Sequence, residues 1–354
     1  MILQDNKIYF KNMQVDTIPC VPNGNWLVRF DERDLFFFLE RMHDFTIPEK
    51  IYGDCDYLTD RYLKTFKKYD KNLGISLSGV KGTGKSLTAK MLAMKSGLPV
   101  IIINEPFTGS MFNSFIESIN QECIVFIDEF EKVYSESDDQ SAMLTLLDGA
   151  FMSKKLFLFT SNETSRFSNY LMNRPGRIHY FKEYKRIDDK TLTQIIDDTL
   201  VDKTKEEELR TIINLIDDAN IDMVFSLIRE MNDFNEGAKE AVEHLNISIS
   251  SHSEHKILIQ TKNHAVYEQT INLNPFFYGG FNDWFALDDE LSKVAGLTDE
   301  EKKKLSETGD NEKKFVCKIQ ECTVIKTTSE YSQLVDEHGN IITIKKLSPY
   351  RFVF

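Results

Sequence analysis

Gly79-Val80-Lys81-Gly82-Thr83-Gly84-Lys85-Ser86 satisfies the pattern GxxxxGK[ST] at every fixed position. An apolar stretch, Ile75-Ser76-Leu77-Ser78, precedes it and reads as a strand, and the run LTAKMLAMK that follows opens a helix. A strand, a glycine-rich loop and a helix in that order build a cradle for phosphate. Glycines let successive backbone N–H groups turn inward, and the start of a helix adds favourable partial charge. Lys85 can then reach the phosphates, and the Ser86 hydroxyl can ligate magnesium. The expected nucleotide-binding set is Gly79, Val80, Lys81, Gly82, Thr83, Gly84, Lys85, Ser86 and Leu87, with Asp128 added below. A glycine-rich turn without function is the competing interpretation, and the flanking strand and helix weigh against it.

Next comes Cys123-Ile124-Val125-Phe126-Ile127-Asp128-Glu129, with Asp128 forty-three residues beyond Lys85. This apolar strand delivers its acids at the C-terminal end, where ligands of open α/β sheets bind. Asp128 is expected to hold Mg2+ through water, alongside Ser86, and Glu129 to act as base or orienter for the attacking water. In isolation, two acids after a strand are usually a solvated strand end; the preceding loop reverses that. A further strand, Leu156-Phe157-Leu158-Phe159-Thr160, ends in Ser161-Asn162. The Asn162 amide can sit between two central strands and hydrogen-bond the γ-phosphate or the lytic water. Asn173-Arg174-Pro175-Gly176-Arg177 follows. Arg174 and Arg177 bracket Pro-Gly and can present a guanidinium to the phosphates of a neighbouring subunit. Such a charge has been worth roughly 10³- to 10⁵-fold in rate. A surface turn is the plainer alternative.

Between these motifs, buried β-rich runs alternate with amphipathic helices: ISLSGV, Lys85–Ser96, PVIIIN, Met111–Ile119, CIVFID, Ser141–Phe151 and LFLFTS. That alternation predicts an α/β fold with a doubly wound parallel sheet. Residues 1–46 form short apolar runs broken by Pro19, Pro22 and Asn23-Gly24, which predicts a β-containing N-terminal segment before a core at 47–187. Residues 188–247 read as helices only, with 16 acidic and 6 basic side chains, the pattern of an acidic all-α module distinct from the sheet. Residues 248–354 return to strand patterns. Asp336–Asn340 is a hairpin turn within them, and a charged stretch, Thr298–Lys314, interrupts them.

The formal net charge of −13 disfavours a general grip on nucleic-acid backbones and leaves room for a local basic groove. Five scattered cysteines without a CxxC pair point to inert thiols rather than zinc or disulfides. No apolar run approaches the ~20 residues of a membrane span. The opening MILQDNKIYF lacks a basic and an apolar signal region, so a cytoplasmic location is expected, host cytoplasm if the source is viral.

Taken in order, these motifs resemble the AAA family of ring-forming ATPases: phosphate loop, strand ending Asp-Glu, strand ending Thr-Ser-Asn, then Arg-Pro-Gly-Arg. The last two are similar to the second region of homology that marks the AAA clade proper. FIDEFEKV and LTLLDGAF…LFLFTSNE…RPGRI look most similar to the branch of the mitochondrial respiratory-chain AAA chaperone, and the composition is similar to ATPases of large tailed phages. The resemblance spans about Ile47 to Ile247. It implies a P-loop NTPase that binds ATP and Mg2+ and hydrolyses ATP in a homo-oligomeric ring, usually hexameric. It further implies Walker A at Gly79–Ser86, Walker B at Asp128 and Glu129, sensor 1 at Asn162, arginine fingers at Arg174 and Arg177, and an all-α lid formed by the acidic helices at 188–247. A protein client that is remodelled, unfolded or assembled is implied as well.

The chain departs from that pattern in places. Phe107-Thr108-Gly109 and Met111-Phe112 are the only candidates for a pore element, at spacings more typical of helix core. Ile178-His179 replaces the family's aromatic-Asp pair. Arg229 is expected at a helix surface. His252, His255 and His264 are expected at solvated strand positions. Phe276, Phe277, Tyr278, Phe281 and Trp284 are expected to pack the C-terminal domain against the helices at 188–247, the alternative being a partner-docking patch. The alternative functions are a nucleic-acid motor or loader with an OB-like C-terminal barrel, carrying Phe315, Tyr331, Tyr350 and Phe352, and an ATP-gated structural assembly protein. Lys302–Lys304 and Lys345-Lys346 are the basic spots available to the former.

Overall fold

A computed structural model of the chain describes residues 2–4, 7–9, 18–136, 140, 143, 146–148, 153–162, 176–216, 218–247, 249, 252–295, 298, 300, 312–328 and 331–347. It divides into two compact units, Met1–Lys185 and Arg186–Phe354.

The first unit is built on one nine-stranded sheet. In chain order its strands are β1 (Ile2–Gln4), β2 (Lys7–Tyr9), β3 (Gly24–Asp31), β4 (Phe36–Arg41), β5 (Leu73–Gly79), β6 (Pro99–Ile102), β7 (Cys123–Ile127), β8 (Lys155–Ser161) and β9 (Tyr180–Tyr184). Their spatial order is β1-β2-β4-β3-β6-β7-β8-β5-β9. From β3 through to β9 every neighbouring pair is parallel. The helices are α1 (Cys55–Lys68), α2 (Lys85–Ser96), α3 (Ser110–Ser118) and the short α4 (Phe130–Val133). Gln140, Met143, Leu146 and Leu147 are also helical, where the sequence predicts a helix over Ser141–Phe151.

The central strands read as unbroken apolar runs because both faces are covered. Ile124, Phe126, Leu156 and Leu158 point to a core with Leu58, Tyr62 and Phe66 of α1 and Ala89 and Leu92 of α2. Val125, Ile127, Phe157 and Phe159 point to the opposite core, with Phe112, Phe115 and Ile116 of α3. Phe107 packs beside that second core, its ring 5.1 Å from Phe37, and Phe112 is fully buried. These two rings of the candidate pore element are therefore core residues, whereas Gly109 and Met111 are exposed. The N-terminal β segment joins the same sheet, because β3 runs parallel to β6 with Trp26 opposite Ile101.

The second unit combines helices and an antiparallel sheet. Its helices are α5 (Asp189–Thr199), α6 (Glu206–Leu215), α7 (Ile221–Phe234) and α8 (Ala238–His244). Asp188 and Asn220 open α5 and α7 by accepting N–H bonds from Thr191 and Met223, each at 2.9 Å. Arg229 is exposed, as its helical position suggests. The strands are β10 (Glu254–Gln260), β11 (Val266–Asn272), β12 (Gly280–Leu287), β13 (Glu312–Lys318), β14 (Thr323–Thr327), β15 (Tyr331–Val335) and β16 (Ile341–Lys346), with helix α9 (Asp289–Val294) after β12. The sheet order is β13-β12-β11-β10-β16-β15-β14, antiparallel throughout. Six successive antiparallel pairings leave β13 and β14 pointing the same way, joined through a 3₁₀ turn at Ile319–Glu321. One bent strand thus pairs with β12 by its first half and with β15 by its second. This is a meander whose first and last strands pair, β10 with β16, and not the Greek-key order of the OB-like barrel offered by the alternative reading. Asn214 of α6 donates to the Thr328 carbonyl at 2.5 Å, which ties the helices to this sheet.

Two further expectations are corrected in this unit. His255 is buried, with Nδ1 3.0 Å from both the Ser253 and Leu273 carbonyl oxygens, because its strand position faces the core; His252 and His264 are exposed. Phe281 is buried and Phe276 packs beside the core, but Phe277, Tyr278 and Trp284 stay exposed, Trp284 because it alternates to the outer face. Cys317 and Cys322 meet across the 3₁₀ turn with their sulfurs 3.8 Å apart, and both are free thiols. Tyr350, Phe352 and Lys302–Lys304 lie outside the described residues.

Candidate nucleotide site

The loop between β5 and α2 closes around Lys85. Gly79 has φ of 131° and lies so close to Tyr184 that a Cβ would stand 1.8 Å from the Tyr184 carbonyl oxygen. Val80 donates its N–H to that oxygen at 3.3 Å. The Tyr184 hydroxyl meets Thr88 Oγ1 at 2.7 Å, and Thr88 donates to the Gly84 carbonyl at 3.1 Å. The end of β9 therefore supports the loop from beneath, and burial pushes the Tyr184 hydroxyl well above the ordinary range for a phenol. Gly84 caps α2 in the left-handed region with φ of 97° and no side-chain hydrogen bond, so no side chain covers the first N–H groups of the helix.

Lys85 is 5% exposed and donates to the Gly79 and Val80 carbonyls, both at 2.7 Å. Burial holds its ammonium below the usual lysine range, against the pull of Glu131, Asp128 and Glu129. A buried cation beside an uncapped helix start suits a polyanion, and Ser86 is exposed at the second helical position. These features fit a nucleoside triphosphate. The acid corner with Ser86 fits a hard divalent cation, which takes oxygen ligands.

The acids sit across the sheet from this loop because β8 lies between β5 and β7. Ile127 pairs with Phe159, which sets Asp128 beside Thr160 and brings Asn162 past the end of the ladder. Thr160 Oγ1 donates a short hydrogen bond to Asp128 Oδ1 and accepts the Glu129 N–H at 2.9 Å. Glu129 itself is left-handed, φ 50° and ψ 53°, a strained conformation for a residue with a Cβ. Its Oε1 receives Lys132 Nζ at 2.8 Å and Asn162 Nδ2 at 2.9 Å. The Lys132 hydrogen bond, helped by that from Asn162, holds the Glu129 carboxyl below its ordinary range, with burial acting the other way.

Gly79–Leu87, Asp128, Glu129 and Asn162 are thus gathered at the C-terminal ends of β5, β7 and β8. Arg174 lies outside the described residues. Arg177 is described, and it faces a carboxylate of its own chain: Nε and Nη2 reach Asp148 at 2.8 and 2.5 Å. That hydrogen bonding raises the guanidinium's already high pKa.

Thr160, Glu131, Lys132, Thr88 and Tyr184 were not anticipated in the site. Parity along LFLFT places Thr160 on the same face as Leu158, and that was a readable signal; nothing local marks Tyr184. Among the described residues no cluster of His, Cys, Asp and Glu forms a ready metal cage, and no helix is long and apolar enough to cross a membrane.

No curated protein matches the chain. Residues 75–183 match the family model for the ATPase family associated with various cellular activities (AAA). The match runs from β5, which leads into the glycine loop, almost to the end of β9, and so encloses every element that carries the site. Over this segment the chain is similar to AAA ATPase domains, and its fold is that of a P-loop NTPase.

Proposed function

We propose that the protein hydrolyses ATP, works as a homo-oligomeric ring, and uses turnover to remodel, unfold or assemble a protein partner. The observation that carries the hydrolytic part is the Asn162–Glu129 hydrogen bond at 2.9 Å, next to the strand that ends in the Lys85 loop. A carboxylate kept ionised by Lys132 and aimed by an amide is suited to accept a proton from water. Asp128, with one oxygen engaged by Thr160, and the exposed Ser86 would hold Mg2+, which when bound neutralises charge on the phosphate oxygens. The loop's N–H groups and Lys85 bind and orient the phosphates. The family resemblance supports the ring, with Arg174 and Arg177 acting on a neighbour's nucleotide, and the helices at 188–247 as a lid. The net charge of −13 favours a protein client over a nucleic acid.

Steady-state phosphate release and binding of a fluorescent ATP analogue test this on wild type, Glu129→Gln and Lys85→Ala. Glu129→Gln should bind and not turn over, and Lys85→Ala should lose both. Similar turnover in all three proteins would overturn the site.

One observation favours the nucleic-acid reading: exposed Trp284 stands opposite Lys314 on adjacent strands, the kind of aromatic and basic pair that stacks on single strands. A several-fold, salt-sensitive stimulation of turnover by DNA would decide for it.

A further inference from the structure

We infer that Glu131 is a positioning residue for hydrolysis: it fixes the backbone of Asn162, whose side-chain amide in turn aims Glu129. The inference rests on the ATPase reading above.

Glu131 lies in α4, two residues beyond Glu129, and is only 3% exposed. Its Oε1 accepts the Asn162 N–H at 3.0 Å. Its Oε2 is buried and, among the described residues, has no hydrogen-bond partner. A buried carboxylate with one oxygen unsatisfied is unfavourable, and an exposed polar residue at this turn would avoid that cost. The one bond it makes has a specific recipient. Strand β8 ends at Ser161, so the Asn162 N–H lies just beyond the ladder and takes its partner from Glu131. The bond to this enclosed acceptor holds the residue against rotation at the strand end. Asn162 Nδ2 then meets Glu129 Oε1 at 2.9 Å.

Electrostatics agree with this placement. Of the three carboxylates acting on the Lys85 ammonium, Glu131 exerts the largest pull, ahead of Asp128 and Glu129. Glu131 is not itself the base, because it is enclosed, whereas the Glu129 side chain is 40% exposed and open to water.

Length and charge can be separated. Glu131→Gln keeps a carbonyl oxygen at the same reach, whereas Glu131→Asp keeps the charge and withdraws it by one methylene. Glu131→Ala removes the acceptor. The full chain should be assayed for kcat, KM for ATP and affinity for a fluorescent ATP analogue, with thermal unfolding as the folding check. Glu131→Ala and Glu131→Asp should lose about tenfold or more in kcat, with KM and analogue affinity within about threefold of wild type. Glu131→Gln should stay within about threefold of wild type throughout. Should Glu131→Ala fail to fold, the Gln and Asp variants carry the test alone. An inactive Gln variant beside an active Asp variant would overturn the proposal, because charge and not reach would then matter. So would wild-type kcat in Glu131→Ala or Glu131→Asp, or a loss confined to KM. A wild type that turns over and is silenced by Glu129→Gln isolates the role of Glu131; a wild type without turnover overturns both readings.

Discussion

The Thr160 hydroxyl stands 2.9 Å from the Glu129 nitrogen and donates its own proton to Asp128, so one side chain on β8 fixes both acids of β7. Thr160→Val keeps the shape and removes both bonds. Turnover should fall about tenfold, and stability by about 1–2 kcal/mol from the lost hydrogen bonds, with Thr160→Ser close to wild type. Phosphate release and denaturant unfolding of the three proteins check this, and a fully active valine variant would dismiss the bridge.

Gly79 permits the contact between the loop and β9. A methyl group there would collide with the Tyr184 carbonyl, at a φ that side chains avoid. Gly79→Ala should therefore unfold at lower temperature and lose affinity for the ATP analogue. Gly97→Ala, at φ 66° with open space around it, should cost about 1 kcal/mol and leave binding intact. Equal behaviour of the two variants would contradict the assigned support.

The Glu129 carboxyl titrates below its ordinary value of 4.5, chiefly because Lys132 bonds to it. Its ionised form, and the stability it contributes, is therefore present above that value and is lost as pH falls through the depressed one. Lys132→Met should move the acid limb of the rate profile to higher pH, toward the ordinary carboxylate. An unmoved acid limb would mean that Lys132 does not act on the base.

Arg177 is held on Asp148 of its own chain, so the proposed action on a neighbour's nucleotide requires it to leave that carboxylate. Arg177→Ala should lose turnover and regain part of it when mixed with Lys85→Ala subunits, which retain the arginine. Asp148→Ala should not lower turnover, because it frees the guanidinium. If Asp148→Ala is as inactive as Arg177→Ala, the pair serves the fold of this chain alone. Arg174→Ala, tested by the same mixing, reports on the other arginine.

Local signals in the sequence determined the elements of the site: the spacing of Gly79, Gly84 and Lys85, the apolar run into Asp128, and the strand into Asn162. Each depends on backbone preference and on periodicity over fewer than ten or so residues, which neighbouring residues enforce by themselves. Partnerships between segments were settled only by the tertiary structure. Thr160 meets Asp128 through strand register, Tyr184 supports the loop from a strand about a hundred residues away, and β3 joins the sheet beside β6. Arg177 turns to Asp148, and β13 and β14 become one bent strand. Register and long-range packing are chosen by the burial of both sheet faces at once, a condition on the whole unit that no single stretch of sequence displays.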